Sequence, residues 1–326
     1  MDRINRRNLL KGISVLGGST LLPGTTTALH SMIKDPKEEV YTSDKPFKKK
    51  FSYCFNSSTI RGQKIGIEKE VELVAKAGYD AIEVWVPVLN EYKKSGKSIK
   101  DLSKKIKDLG LNVADAIGFA QWIHEDDTIR SKALEQVKEE MDMLAEMGCH
   151  RIAAPPSGAT NEPAASYNAV AERFHTLIEI GVQHAVIPQL ELWGFSKTLY
   201  NMSQLMYVAA QCGHPQTRLL TDVYHLYKGG SNLDALKLVG PESIEIFHMN
   251  DYKASSDRAT ITDADRIYPG EGATPMSKIL RDLALHRDHI ILSLELFNPE
   301  YYKLDAATVI NTGLAKLKAT VTNAMG

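Results

Sequence analysis

From residue 51 onward, short apolar runs alternate with longer amphipathic stretches. The runs predict strands at Phe51–Asn56, Ala81–Val86, Asn112–Ile117, Arg151–Pro155, Ile187–Trp193, Arg218–Val223, Ile244–Met249 and Ile290–Phe297. Between them "EKEVELVAKAG" ends at Gly78, "IKDLSKKIKDLG" at Gly110 and "IRSKALEQVKEEMDMLAEMG" at Gly148. In the third, Leu134, Val137, Met141, Leu144 and Met147 recur at the spacing of one helix face, with Lys and Glu between them. A glycine just past each stretch supplies a left-handed cap. Further helices are predicted at about 164–184, 198–211, 275–287 and 305–320, with a shorter one near 232–239. Alternation with no consecutive strands predicts parallel β-structure joined by right-handed crossovers. Eight such units in roughly 275 residues match a (β/α)8 barrel. A doubly wound sheet would carry a glycine-rich phosphate loop after its first strand, and "SSTIRGQKIG" is not one.

The N-terminus breaks the pattern. "NRRNLLKGISVLGGSTLLPGTTTALHS" has a basic start, an apolar stretch from Leu9 to Leu22, then small residues. This predicts an export signal over residues 1–28, with Arg6-Arg7 followed by Asn8-Leu9-Leu10-Lys11 resembling the twin-arginine class. The mature protein is then expected in the periplasm. The apolar stretch holds Gly12, Gly17 and Gly18 and is short for a bilayer, so no stable membrane anchor is expected. Residues 29–50, rich in Lys, Asp, Glu and Pro, read as a linker to a folded domain over 51–326.

Charge narrows the partners. Lys+Arg 39 against Asp+Glu 40 gives a net charge of -1, which leaves no electrostatic footprint for nucleic acid. Cys54, Cys149 and Cys212 are odd in number and lack C-x-x-C spacing, so they read as buried thiols. Oligomeric state is not written in the sequence, and a homo-oligomer stays open.

In such a barrel the site lies at the C-terminal strand ends. There the sequence places Glu83 in "AIEVWVP", Glu191 in "QLELWGF", Asp222 and His225 in "LLTDVYHLY", His248 and Asp251 in "IFHMNDY", and Glu295 in "LSLELFN". A carboxylate inside an apolar strand is costly unless paired or coordinated. Glu191, Asp222, His248 and Glu295 fall on adjacent strands, and three carboxylates with one imidazole make sense chiefly around a divalent cation. Mostly oxygen donors favour Mn²⁺, with Mg²⁺ or Co²⁺ next, over a structural zinc.

These residues resemble the xylose isomerase-like barrels, the sugar phosphate isomerase/epimerase family that includes ketose 3-epimerases and inosose dehydratases. The echoes are "GYDAIEVW", the Asp222-x-x-His225 pair, "HMND" and "DADRIYPGEG". The resemblance implies that Glu191, Asp222, His248 and Glu295 bind the metal. It also implies that Glu191 and Glu295 act as acid and base on opposite faces of a sugar, and that His225 contacts the substrate. Arg266 is expected to reach an anionic or hydroxyl group of the substrate, and Glu83, Trp193 and Asp251 are further candidate contacts. Trp85, Trp122, Phe55 and Phe297 join Trp193 as rings that could stack on a sugar. The chain departs from the family in the 47 positions from His248 to Glu295, which insert "KASSDRATITDADRIY".

The chemistry expected is proton abstraction next to a ketone, on an unphosphorylated substrate because phosphorylated sugars are mainly cytoplasmic. Proton return yields an epimer or isomer, and loss of a β-leaving group would make the enzyme a dehydratase. An endonuclease-like phosphodiesterase would want a basic face that is missing here. A non-catalytic sugar-binding barrel would show no metal-dependent hydrogen exchange.

Overall fold

The computed structural model describes residues 50–326. The expected signal over 1–28 and the linker up to residue 49 lie outside the described residues. The strands are β1 (Phe51–Asn56), β2 (Ala81–Trp85), β3 (Asn112–Ile117), β4 (Arg151–Ala154), β5 (Ile187–Glu191), β6 (Arg218–Asp222), β7 (Ile246–Met249) and β8 (Ile290–Leu294). They close in sequence order into a barrel, with every neighbouring pair parallel and β8 paired back to β1. The chain is therefore a (β/α)8 TIM barrel.

The helices are α1 (Ile67–Ala77), α2 (Val86–Lys94), α3 (Ile99–Asp108), α4 (Asp127–Met147), α5 (Tyr167–His184), α6 (Met202–Cys212), α7 (Val223–Lys228), α8 (Met276–Ala284) and α9 (Ala306–Met325). Their ends follow local chemistry. The Asp126 side chain accepts the Thr128 and Ile129 N–H groups at the start of α4, and Gly148 closes it at φ 76°. Val137, Met141, Leu144 and Met147 form its buried stripe, each worth about 1.5–3 kcal/mol of apolar burial.

Two helices differ from the sequence expectation. α2 and α7 start directly at the ends of β2 and β6, inside segments whose apolar residues read as strand tails. α7 is only six residues long, and the predicted helix near 232–239 is a 3-10 turn, Leu233–Lys237. β5 and β8 also stop early, so Leu192–Trp193 and Glu295–Phe297 leave the sheet as loops.

One apolar core fills the space between barrel and helices, for example Val71, Val74, Ile82, Val84, Leu292 and Leu294. A smaller one, including Cys54, Ala81, Ala114, Ala153, Leu220 and Ile246, fills the barrel itself. All three cysteines are buried and unpaired. No helix among the described residues is long and apolar enough to cross a membrane.

Candidate metal and substrate site

Strand register builds the site. Asp222 on β6 lies directly beside His248 on β7, and His248 beside Ser293 on β8. Side chains on a strand alternate between faces, so Glu295, two residues beyond Ser293, points inward one layer higher. The result is that Asp222, His248 and Glu295, all buried, each offer a ligand atom within 4.8 Å of the others. Glu191 closes β5 and is also buried, but it stands apart from this trio.

The surroundings orient each group. His248 Nε2 is 2.8 Å from Glu83 Oε1, which leaves Nδ1 facing Glu295 Oε2 at 3.2 Å without hydrogen-bond alignment. Asp222 Oδ1 accepts the His225 N–H at 2.6 Å and so caps α7. This cap is the structural meaning of the Asp-x-x-His spacing. Asp222 Oδ2 accepts from Asn250 Nδ2 at 2.6 Å. Asn56 donates to Glu83 Oε2 at 2.8 Å and to Glu295 Oε1 at 3.2 Å.

Arg266 enters this ring of acids fully buried. Its Nη1 donates to Asp222 Oδ2 at 2.8 Å and to Glu295 Oε2 at 2.7 Å. Its Nη2 donates to Asp263 at 2.6 Å and lies 3.1 Å from His225 Nε2.

Electrostatics separates the acids. Burial pushes Glu191 up to about 8, against a pull from His248, and pushes Asp222 up to about 6, against the pull of Arg266. Burial would raise Glu295 too, but His248 and Arg266 outweigh it and hold that carboxyl far below its usual range. Burial would discourage a charged His248, yet Glu295 and Glu83 reverse the balance and raise it. Burial and then Arg266 keep His225 neutral; the Gly194 N–H donates to its Nδ1, and Nε2 faces Arg266 Nη2.

A divalent cation fits these residues. His248 Nδ1 and Glu191 Oε2 are buried atoms with no hydrogen-bond partner, and both belong to donors that such an ion takes. Glu83 behind His248 is the carboxylate–histidine arrangement that holds a metal-binding imidazole in one tautomer.

Several sequence expectations land elsewhere. Glu83 is fully buried, with its carboxylate engaged by His248, Asn56 and Ser293, so it supports the imidazole and does not face a substrate. Asp251 is 1% exposed and accepts four backbone N–H groups, from Tyr252, Gly270, Gly272 and Thr274. It clamps a loop instead of touching a sugar. The "PGEG" glycines serve that clamp: Gly270 sits at φ 83°, and a Cβ on Gly272 would meet Asp251 Oδ1 at 2.4 Å. Asp251 also pairs with Ile267, next to Arg266, so the clamp fixes where the guanidinium enters. Trp122 and Phe55 are core side chains, and the Trp122 indole donates to the Pro155 carbonyl.

Trp193 is half-buried at the mouth, in a chain of rings running from Trp85 through Phe119 and Trp193 to Phe195, with Phe297 beside Trp85. Phe195 continues to the His225 ring at 5.6 Å. The sequence reading missed Phe119, Phe195, Asn56 and Asn250. Asn56 and Asn250 lie at strand exits inside apolar runs, the same signal that picked out the acids.

Relatives are consistent with this architecture. The inosose isomerase of Bacillus velezensis is 29% identical over 277 residues, covering 82% of this chain and 96% of that protein. A crystal structure of the IolI protein with a bound zinc atom superposes with a TM-score of 0.77 at 24% identity, covering 84% of this chain and 99% of that one. A D-psicose 3-epimerase crystallised with D-fructose superposes at 0.69 with 17% identity, covering 84% and 100%. The family described as the xylose isomerase-like TIM barrel matches residues 71–320, and this chain belongs to it.

Proposed function

We propose that this chain is a divalent-metal-dependent isomerase or epimerase that moves a proton next to the ketone of an unphosphorylated sugar or cyclitol. The observation that carries this reading is the buried group of Asp222, His248 and Glu295, each with a ligand atom within 4.8 Å of the others, together with a Glu191 Oε2 that has no hydrogen-bond partner. Around that group, His248 and Arg266 hold Glu295 below its usual range against the cost of burial, while burial pushes Glu191 up to about 8. Moving a proton between opposite faces of a carbon needs one group of each kind, and environments that push paired pKa values apart assign those roles.

Glu191 and Glu295 would form the acid and base pair, exchanging roles between the two directions. Asp222, His248 and Glu295 would hold the cation, with Glu191 as the fourth donor. Bound there, a divalent ion supplies positive charge to the oxygen that becomes negative as the carbon loses its proton. Mn²⁺ suits the oxygen-rich donor set, and zinc is the ion in the IolI structure. Trp85, Phe119, Trp193 and Phe297 offer apolar faces for the C–H side of a ring and exclude water from it. His225 Nε2 and the Arg266 guanidinium stand together as polar contacts for substrate oxygens.

The inosose isomerases it resembles point to a cyclitol ketone. The basic, apolar N-terminus supports export to the periplasm, where substrates lack phosphate.

The test is solvent deuterium exchange into inososes and free ketoses, with and without Mn²⁺. Label in recovered substrate, dependent on the ion, is expected. Absence of exchange with every ketone tried defeats the reading, and a dehydrated product would make the enzyme a lyase. Preference for a phosphate ester would overturn the free-substrate assignment.

A further inference from the structure

Arg266 stands where two demands collide. Its Nη1 spans Asp222 Oδ2 and Glu295 Oε2 at 2.8 and 2.7 Å, which are oxygens of two of the three residues grouped for a metal. The guanidinium is 1% exposed and stacked between rings, with its Cζ 4.5 Å from the Tyr224 centroid and 4.9 Å from that of Phe297. Asp222 Oδ1 is already committed to capping α7 and Glu295 Oε1 to Asn56. Asp222 Oδ2 also accepts from Asn250, and the two oxygens that Nη1 spans belong to residues that would hold an outside cation. One site cannot satisfy both cations through the same lone pairs, because like charges a few ångströms apart in a dry interior repel strongly.

We infer that Arg266 is an exchangeable counter-cation. It neutralises Asp222 and Glu295 in the metal-free chain, and metal uptake displaces its Nη1 edge toward the substrate side. This rests on the metal site proposed above. Displacement need not move the backbone. The Asn298 amide donates to the Arg266 carbonyl at 3.0 Å, and Ile267 is bridged to Asp251, so the residue is pinned on both sides of its side chain. Asp263, bonded to Nη2, provides the pivot, and His225 Nε2, 3.1 Å from Nη2, is the contact a substrate hydroxyl would share. Loading the metal would thus also present the arginine to the substrate, so the two steps would occur in order.

The experiment compares Mn²⁺ and Zn²⁺ binding by calorimetry, after stripping with chelator, for the native chain, Arg266→Met and Arg266→Lys. It is paired with native crystal structures with and without Mn²⁺. Removing the competitor should tighten metal binding about ten- to hundredfold in Arg266→Met, the span expected for losing a pair of charge-assisted hydrogen bonds. Thermal stability of the metal-free variant should fall, while its gain on adding metal should exceed that of the native chain. The metal-bound native structure should show Nη1 away from both carboxylates. Unchanged or weaker affinity in Arg266→Met, or a metal-bound structure in which Nη1 still spans Asp222 and Glu295, overturns the exchange and leaves the metal site standing. No cation bound to either protein would sink both. Should Arg266→Met fail to fold, the pair of native structures decides alone.

Discussion

The two ends of the barrel handle buried charge in opposite ways. At the N-terminal end, Arg151 opens β4, Arg218 opens β6, and both bond Glu245 just ahead of β7. Two cations enclose one acid, whose carboxyl is held below its ordinary range despite its burial. At the C-terminal end, Glu83, Glu191, Asp222 and Glu295 have only Arg266 and the imidazoles as cationic neighbours, with Asn56, Asn250 and Ser293 donating to three of them, and Glu191 Oε2 and His248 Nδ1 have no hydrogen-bond partner. The first end is electrostatically finished. The second carries a surplus of acid that something positive should complete. At this end buried ligand-type atoms converge on one point, as those of a buried carboxyl such as Glu70 in α1 do not.

The sharpest way to break this contrast is to remove the surplus. Glu295→Gln and Asp222→Asn should lower turnover on the order of a thousandfold or more and abolish binding of added Mn²⁺, with the fold intact by circular dichroism. Elemental analysis with a turnover assay checks this, and activity within tenfold of native would refute the site. Glu191→Gln is the finer cut. It should slow solvent exchange by about 10²–10⁴ while the Asp222, His248 and Glu295 trio keeps most of the metal. Glu83→Gln should act through the groups it orients, chiefly His248 with Asn56 beside it, weakening metal affinity by about 10–100-fold. Equal loss in Glu83→Gln and Glu295→Gln would mean Glu83 touches substrate after all.

One side of this contrast, the acid-rich end, is legible in the sequence; the Arg151, Arg218 and Glu245 cluster is not. The eight apolar runs gave strand positions to within two residues at their starts, because parallel barrel strands are buried on both faces and read as continuous apolar segments. The acids stood out for the same reason. What escaped was direction and partnership. Asp251 and Glu83 look like site residues because they sit at or near strand exits, yet only folding reveals that four backbone N–H groups and an imidazole have claimed them. The "PGEG" stretch likewise looks like a motif for substrate, but its glycines make room for the Asp251 clamp. Arg266 was legible as a candidate, but not its reach back over 44 positions to Asp222. Long-range pairing of this kind leaves no trace in local pattern.

A third acid sharpens the comparison, because it belongs to neither end. Glu70 in α1 is buried, and burial pushes it up to about 7 against a weaker pull from Ser57. The native state therefore holds a proton that the unfolded chain releases near its ordinary 4.5. Stability from this group is full below about 4.5 and declines as pH rises through about 7, by about 3 kcal/mol in all. Glu70→Gln should flatten that decline in denaturant unfolding measured across the window. A slope unchanged between native and variant would show that the carboxyl ionises freely.

Glu245 should give the opposite signature at smaller amplitude. Its carboxyl is depressed in the folded state once Arg151 and Arg218 outweigh the cost of burial, so its contribution is present above the unfolded value and is lost as pH falls below it. Side-chain exposure of 31% for Glu245 and 27% for Arg151 lets water screen the pair. Glu245→Gln should therefore cost about 1–3 kcal/mol near neutral pH, leave two arginines facing each other, and blunt the loss of stability on acidification. Turnover per folded molecule should stay native, since the strands separate this cluster from the mouth. If Glu245→Gln instead reduced turnover without reducing stability, charge at the closed end would be coupled to the site. The division between a finished end and an unfinished one would then fail.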